Sequence, residues 1–360
     1  MTLTLSSVGK TYPSRHGAAV QAVKSMDLAV GQGEIVALLG SSGCGKTSTL
    51  RMIAGFESVT EGSISLAGRR IDQLPPARRG VAMAFEGYAL YPPLNVEQNI
   101  GFGLDPHRTN VAQCVREIAD LVEIGSILAQ RPAALSGGQQ QRASLARALA
   151  RDADLHLLDE PMSQLEPQLR SVLRGRIKAL IKQRHLTVLL VTHDQTEASA
   201  MADRIAVMEA GVLQQYGFGD TLWDRPDNLF VATFLGEPPM NALPARVESR
   251  GIRLRDAAAM FLPMPDTPLP APGTDVVLGI RPQRIALGVG TWRGTVASNQ
   301  WLGDQAHVAL DVAGNTVVAV AYTRVPARVG SELSFSFPVA WAHLFDAVTG
   351  HALLHGTAPA

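Results

Sequence analysis

At 360 residues the chain is too long for one ordinary hydrophobic core, so two domains are expected. Its 32 basic and 32 acidic side chains cancel, and 46% hydrophobic with 18% charged residues suits a folded protein, which argues against a nucleic-acid binder built on a basic surface. No run approaches the roughly 20 apolar residues of a membrane-spanning helix, and two cysteines, Cys44 and Cys114, are too few for a disulfide framework.

The opening MTLTLSSVGK lacks the basic and then apolar pattern of a secretory leader, so a cytosolic chain is expected. Such a chain would work at a membrane by docking on embedded partners. Residues 1 to about 235 read as α/β, with strand-like runs at Ile35–Leu39, Leu155–Leu158 and Val188–Val191 between helical patterns.

The first strand-like run leads into GSSGCGKT, which fits G-x-x-x-x-G-K-S/T at every fixed position. A strand, a glycine loop and a helix start are what phosphate binding needs. Glycines let backbone N–H groups converge on phosphate oxygens, and the helix dipole favours the negative charge. Gly40, Ser41, Ser42, Gly43, Cys44, Gly45, Lys46, Thr47 and Ser48 are the expected nucleotide contacts, with Lys46 on the β and γ phosphates and the Thr47 hydroxyl on Mg²⁺. Cys44 reads as a tolerated loop residue.

Further along, LSGGQQQR places Ser136 three residues before Gln139, the pattern of a capping box that opens a helix. Leu145, Ala148 and Leu149 supply the apolar face of that helix. Gly137 and Gly138 in its first turn expose N–H groups, so the chain carries a second anion-binding helix start. The strand Leu155–Leu158 then ends in Asp159 and Glu160. Asp159 is suited to hold Mg²⁺, and Glu160 to polarise the attacking water. His156, within the strand, reads as packed. Leu169, Val172, Leu173, Ile177, Leu180 and Ile181 recur at helical spacing, with Arg170, Arg174 and Lys178 on the other side and Gly175 as a weak point. Val188–Val191 runs into Thr192-His193-Asp194, which places His193 at the ligand edge of the sheet as a γ-phosphate contact.

After residue 236 the texture changes. GEPPMN (236–241) breaks the pattern, prolines crowd in at 263, 265, 268, 270 and 272, and Leu333, Phe335 and Phe337 alternate with Ser334 and Ser336. That alternation predicts a small β-rich domain over 236–360.

Together GSSGCGKT, LSGGQ, LLDEP and THD, in this order, resemble the ABC ATPase family over residues 1–235. The stretch AFEGYALYPPLNVEQNI (84–100), with VTHDQTEA, GEPPMN and GIRP (279–282), is similar to the ATPase subunits of carbohydrate importers of the maltose-transporter type. The resemblance implies a helical subdomain over about 87–150 that receives a permease coupling helix, and a C-terminal OB-like (TOBE) regulatory domain. It also implies that two nucleotide domains pair head to tail, so that Ser136, Gly137, Gly138 and Gln139 serve an ATP held mainly by a second ATPase subunit. Tyr12 matches the residue that stacks on adenine, and Glu86 stands at the Mg²⁺-linking position. The implied partners are two membrane permease subunits and, indirectly, a solute-binding protein, with no nucleic acid. The implied place is the cytoplasmic face of the plasma membrane, as a peripheral subunit. Importers of polyamines, iron, sulfate or phosphonates, and soluble ABC ATPases of DNA repair or translation, share the nucleotide motifs.

Two positions depart from the family pattern. Glu86 stands where Gln is usual, and Ser163-Gln164-Leu165-Glu166 stands where S-x-L-D is usual. A carboxylate at 86 can still ligate Mg²⁺ but adds negative charge near the phosphates. The pair leaves open a homodimer or a heterodimer with a more conventional subunit.

Overall fold

The structure, a computed structural model, describes residues 2–13, 18–104, 110–255, 257, 260–264 and 267–356; Met1 of the opening stretch and Pro265 of the proline-rich stretch lie outside the described residues. The chain divides into two compact units, residues 1–219 and 220–360.

The strands of the first unit are β1 (Leu3–Tyr12), β2 (Val20–Val30), β3 (Ile35–Gly40), β4 (Glu61–Leu66), β5 (Arg69–Arg70), β6 (Val81–Ala84), β7 (Leu155–Asp159), β8 (Val188–Thr192), β9 (Arg204–Glu209) and β10 (Val212–Gly217). An antiparallel sheet runs in the order β2-β1-β4-β5, and a second sheet runs β10-β9-β3-β8-β7-β6. The second is parallel apart from its β9–β10 pair. Every residue of β3, β7 and β8 is buried, as unbroken apolar runs require in a parallel sheet covered on both faces. Leu38 pairs with Val191, and Asp159 pairs with Val191 from the other side. That register brings the ends of β3, β7 and β8 to one edge, carrying Gly40, Asp159 and Thr192.

The helices are α1 (Lys46–Ala54), α2 (Val96–Gly101), α3 (Val111–Leu121), α4 (Gly137–Ala150), α5 (Pro167–Gln183) and α6 (Gln195–Met201). Helices α2, α3 and α4 enclose an apolar core of their own, including Val96, Ile100, Val115, Ile118 and Ala146. This core occupies the stretch expected to form a helical subdomain.

Helix α5 follows the periodicity with two differences. Leu173, Ile177, Leu180 and Ile181 are buried, but Val172 is 47% exposed. The buried positions form one narrow stripe, and Val172 falls off its side. Arg170 does not face solvent with Arg174; its guanidinium donates to the Ser163 and Leu165 carbonyls and to the Asp194 carboxylate.

The second unit opens with two short helices, α7 (Gly219–Asp224) and α8 (Leu229–Phe234). The change of texture after residue 236 therefore lies within this unit, behind both helices. Among the described residues the strands that follow are β11 (Asn241–Glu248), β12 (Gly251–Leu254), β13 (Phe261–Pro263), β14 (Asp275–Ile280), β15 (Ala286–Trp301), β16 (Ala306–Val312), β17 (Asn315–Ala321), β18 (Glu332–Ser336), β19 (His343–Asp346) and β20 (Ala352–Leu354). They form sheets in the orders β13-β12-β11-β14-β19-β20 and β17-β16-β15-β18. One apolar core draws on both sheets, with Leu278 and Leu344 from the first and Leu310 and Phe335 from the second. The alternation around Phe335 lies on β18, where Trp292 meets Phe335 and Phe337 edge-on.

GEPPMN and GIRP have structural work within this unit. The Asn241 amide donates to the carbonyls of Ile280 and Val318 and accepts from the Val318 N–H, so one side chain stitches the two sheets together. Arg281 is buried, donates to the carbonyls of Trp223, Ala232 and Leu235, and lies 3.9 Å over the Trp223 ring.

Candidate active site

Residues 40–47 turn from β3 into α1 as the motif requires. Gly43 and Gly45 take the left-handed backbone at φ 79° and 107°, and a side chain at Gly45 would meet the Ala22 carbonyl at 2.3 Å. Helix α1 has no side-chain cap and no acidic residue in its first turn, so its leading N–H groups and dipole are free to face an anion. Ser41, Ser42 and Gly43 are exposed, while Thr47 and Ser48 are half-buried. Lys46 is 7% exposed, and its ammonium donates to the Gly40 carbonyl at 2.7 Å and the Ser41 carbonyl at 2.8 Å. The Cys44 thiol is buried beneath this loop, 3.8 Å from the same ammonium. Tyr12 reaches the loop from β1, its hydroxyl donating to Ser48 Oγ at 3.2 Å while Lys10 lies against its ring.

Asp159, at the end of β7, is 5% exposed, and its Oδ1 has no hydrogen-bond partner among the described residues. Burial pushes its carboxyl up to about 6, with like charge from Glu86 and Glu160 adding to the shift and Arg51 and Lys46 opposing it. A buried, unsatisfied carboxylate oxygen close to a lysine and two acids fits a cation site better than a structural role. Among the described residues no three His, Cys, Asp or Glu side chains converge as a metal site. Mg²⁺ needs no such cluster, since it is held through one or two carboxylates with water and substrate phosphate completing its shell.

Glu160 follows in the left-handed region at φ 48°, a conformation that costs a non-glycine residue about 1–3 kcal/mol. Its Oε1 lies 2.8 Å from Nδ1 of His193, which is largely exposed at the end of β8. The structure thus brings Lys46, Asp159, Glu160 and His193, read from separate stretches of sequence, to one sheet edge. His156, by contrast, is fully buried, with Nε2 3.1 Å from the Arg151 carbonyl and its charge disfavoured by burial.

Ser136–Gln139 forms the reciprocal capping box, with Gln139 N donating to Ser136 Oγ and Ser136 N donating to Gln139 Oε1. Its hydrogen bonds run within the α4 turn and none reaches loop 40–47 of the same chain, among the described residues. A Cβ at Gly137 would meet Gln164 Oε1 at 2.7 Å, the movable end of a flexible side chain.

Several residues around this site went unread in the sequence. Gln141 is 2% exposed and bonds the stretch 160–164, Arg147 donates to the Ala89 carbonyl just past Glu86, and Glu197 is buried behind β8. Gln141 had a readable signal, since it shares a helical face with Leu145 and Ala148 and is a polar residue on an apolar stripe. Arg147 and Glu197 carried none.

A parallel sheet that delivers a glycine loop, a lysine and two carboxylates to one edge defines a P-loop nucleotide-binding fold. The sequence matches the ABC transporter family over residues 23–163, the MalK OB fold domain over 236–285 and the TOBE domain over 278–345. It is 38% identical to the sn-glycerol-3-phosphate import ATP-binding protein UgpC of Cereibacter sphaeroides, covering 98% of this chain and 99% of that one. It is 40% identical to the trehalose/maltose import ATP-binding protein MalK of Thermococcus litoralis, covering 93% and 96%. Among solved structures it resembles the dimeric ATP-binding cassette MJ0796 in a post-hydrolysis state with ADP and Pi, at 27% identity and a TM-score of 0.55, over 60% of this chain and 98% of that one. The chain belongs to the ATP-binding subunits of ABC transporters, in the carbohydrate-importer branch that carries a MalK-type OB fold and TOBE domain, and is an ATPase.

Proposed function

We propose that this chain hydrolyses MgATP to drive an importer of a sugar, polyol or glycerol-type solute. The Glu160–His193 bond, beside Lys46 and Asp159, is the observation that carries the hydrolytic reading. The solute class rests on the trehalose, maltose and glycerol-3-phosphate importers among the relatives.

In this reading the amides of 40–47 and the Lys46 ammonium take the phosphates, the ammonium exchanging loop carbonyls for phosphate oxygens, and Tyr12 lies against the base. Thr47, Asp159 and Glu86 hold Mg²⁺, which when bound neutralises charge on the phosphates. Glu160 orients water and accepts its proton. His193, tied to Glu160 through Nδ1, directs Nε2 toward the terminal phosphate. The N–H groups of Ser136, Gly137, Gly138 and Gln139 face a nucleotide held by a second ATPase subunit, a pairing that the dimeric cassettes among its structural relatives support. Two permease subunits are the remaining partners, supplied with solute by a binding protein, and the chain works at the cytoplasmic face of the plasma membrane. Among the described residues no helix is long and apolar enough to cross a membrane.

Replacing Glu160 by Gln keeps the shape and removes the base. In the purified transporter, ATP turnover is expected to fall by about 10²–10⁴-fold with nucleotide binding retained. Near-normal turnover would show that another group takes the proton. Counting the ATPase subunit types in the same preparation tells homodimer from heterodimer.

A further inference from the structure

Glu160 holds a strained backbone at φ 48° while its carboxylate meets His193 Nδ1 at 2.8 Å, so something must fix the peptide that follows it. The side chain of Gln141, one turn inside α4, is the group that does so. Its Nε2 donates to the Glu160 carbonyl at 2.8 Å and to Ser163 Oγ at 3.0 Å, and its Oε1 accepts from the Gln164 N–H at 3.0 Å. The amide uses donor and acceptor together, in a place sealed from water. Ser163 adds its own bond to the Glu160 carbonyl at 3.2 Å.

From the other side Arg170 donates to the Ser163 and Leu165 carbonyls and pairs with Asp194, which follows His193. His193 returns to the Glu160 carboxylate. The hydrogen bonds, with the chain itself linking Asp194 to His193, close a ring from Glu160 through Gln141, the 163–165 turn, Arg170, Asp194 and His193 back to Glu160. Gln141 is the member of that ring contributed by α4, the helix whose first turn carries the capped anion-facing box at Ser136.

We propose that Gln141 is a positioning residue for hydrolysis: it sets the Glu160 peptide and the 163–165 turn against α4, and touches no reacting atom itself. The inference rests on the reading of Glu160 as the base. A group acting only through the pose of another affects turnover and leaves substrate binding alone.

Gln141→Glu tests it at a pH where the glutamate is ionised, because it has the same shape and can still accept from Gln164 but then cannot donate to the Glu160 carbonyl. In the assembled transporter kcat is expected to fall about 10- to 100-fold, with KM for ATP changed less than about twofold. In the Glu160→Gln background the same change is expected to cost less than about twofold further, since the two act as a unit. Burying a carboxylate beside the Glu160 carbonyl is also expected to lower the thermal midpoint, so turnover is compared at a temperature well below it. Wild-type turnover, a matching loss of nucleotide affinity, or a full multiplicative loss in the double variant would overturn the proposal. If Gln141→Glu does not fold, Gln141→Met carries the same test, since it keeps much of the volume and removes both the donor and the acceptor. A Glu160→Gln variant that retains turnover overturns the base assignment instead, so the two failures are told apart.

Discussion

Glu197 lies behind the hydrolytic edge, 2% exposed, accepting a hydrogen bond from Thr192 Oγ1 at 2.9 Å while its other oxygen has no partner among the described residues. Burial raises its carboxyl to about 7 from the usual 4.5, with Asp194 and Glu160 adding like charge and the Thr192 bond opposing them. An acid whose pKa rises on folding stabilises the fold only while it is protonated. Its contribution is full below pH 4.5 and is lost as pH rises through about 7. Glu197→Gln mimics the protonated form, so it should nearly match wild type in stability at pH 4 and exceed it at pH 8 by up to roughly 3 kcal/mol. Denaturant unfolding at the two pH values measures this, and an equal gap at both contradicts it.

At the scale of the element, α5 shows what local rules leave open. Gly175 lies on its exposed face, and a Cβ there would meet nothing within 4 Å. Gly175→Ala should therefore stabilise the first unit by about 0.5–1 kcal/mol, read as a raised midpoint in thermal unfolding. Glu166 stands at the N-cap of the same helix and makes no capping bond, being one methylene too long for that position. Glu166→Asp should add about 0.5–1 kcal/mol, and no gain in denaturant unfolding would show that the cap is not limiting.

The same helix and its neighbours show how far a sequence can be read. The strands β3, β7 and β8 and the helices α4 and α5 were legible because unbroken apolar runs, a capping box and a 3.6-residue stripe are local signals. The phosphate loop, Asp159, Glu160 and His193 were legible because each ends such a run. Arg170 was misread as a surface charge, because its partners at 163, 165 and 194 meet it only once the fold is closed. Arg147 escaped for the same reason, since the Ala89 carbonyl that it meets lies 58 residues away. Gln141 showed as a polar residue on an apolar stripe, a signal for its burial but not for its partners at 160–164, and Glu197 becomes a buried acid only when the fold closes over it.

Across the whole molecule, the two motifs beyond residue 236 that pointed to the importer branch turn out to be internal fastenings of the second unit. Arg281 of GIRP carries its charge into the protein to satisfy three carbonyls around α7 and α8, at a burial that lowers its pKa to about 10. Methionine fills similar space without a donor. Arg281→Met should destabilise the second unit by roughly 3 kcal/mol and speed amide exchange over residues 223–235 in the full chain. Unchanged exchange there would show that other contacts hold these helices.

The central claim is that chemistry at Glu160 is spent on moving a solute. The direct measurement is uptake of labelled trehalose, maltose, glycerol 3-phosphate and polyols into proteoliposomes that carry the complete transporter with its binding protein, alongside ATP turnover. One of these solutes should accumulate only with MgATP on the side where this chain lies, stimulate turnover, and be lost together with turnover in Glu160→Gln. Brisk hydrolysis that no member of the panel stimulates and that moves none of them would contradict the account.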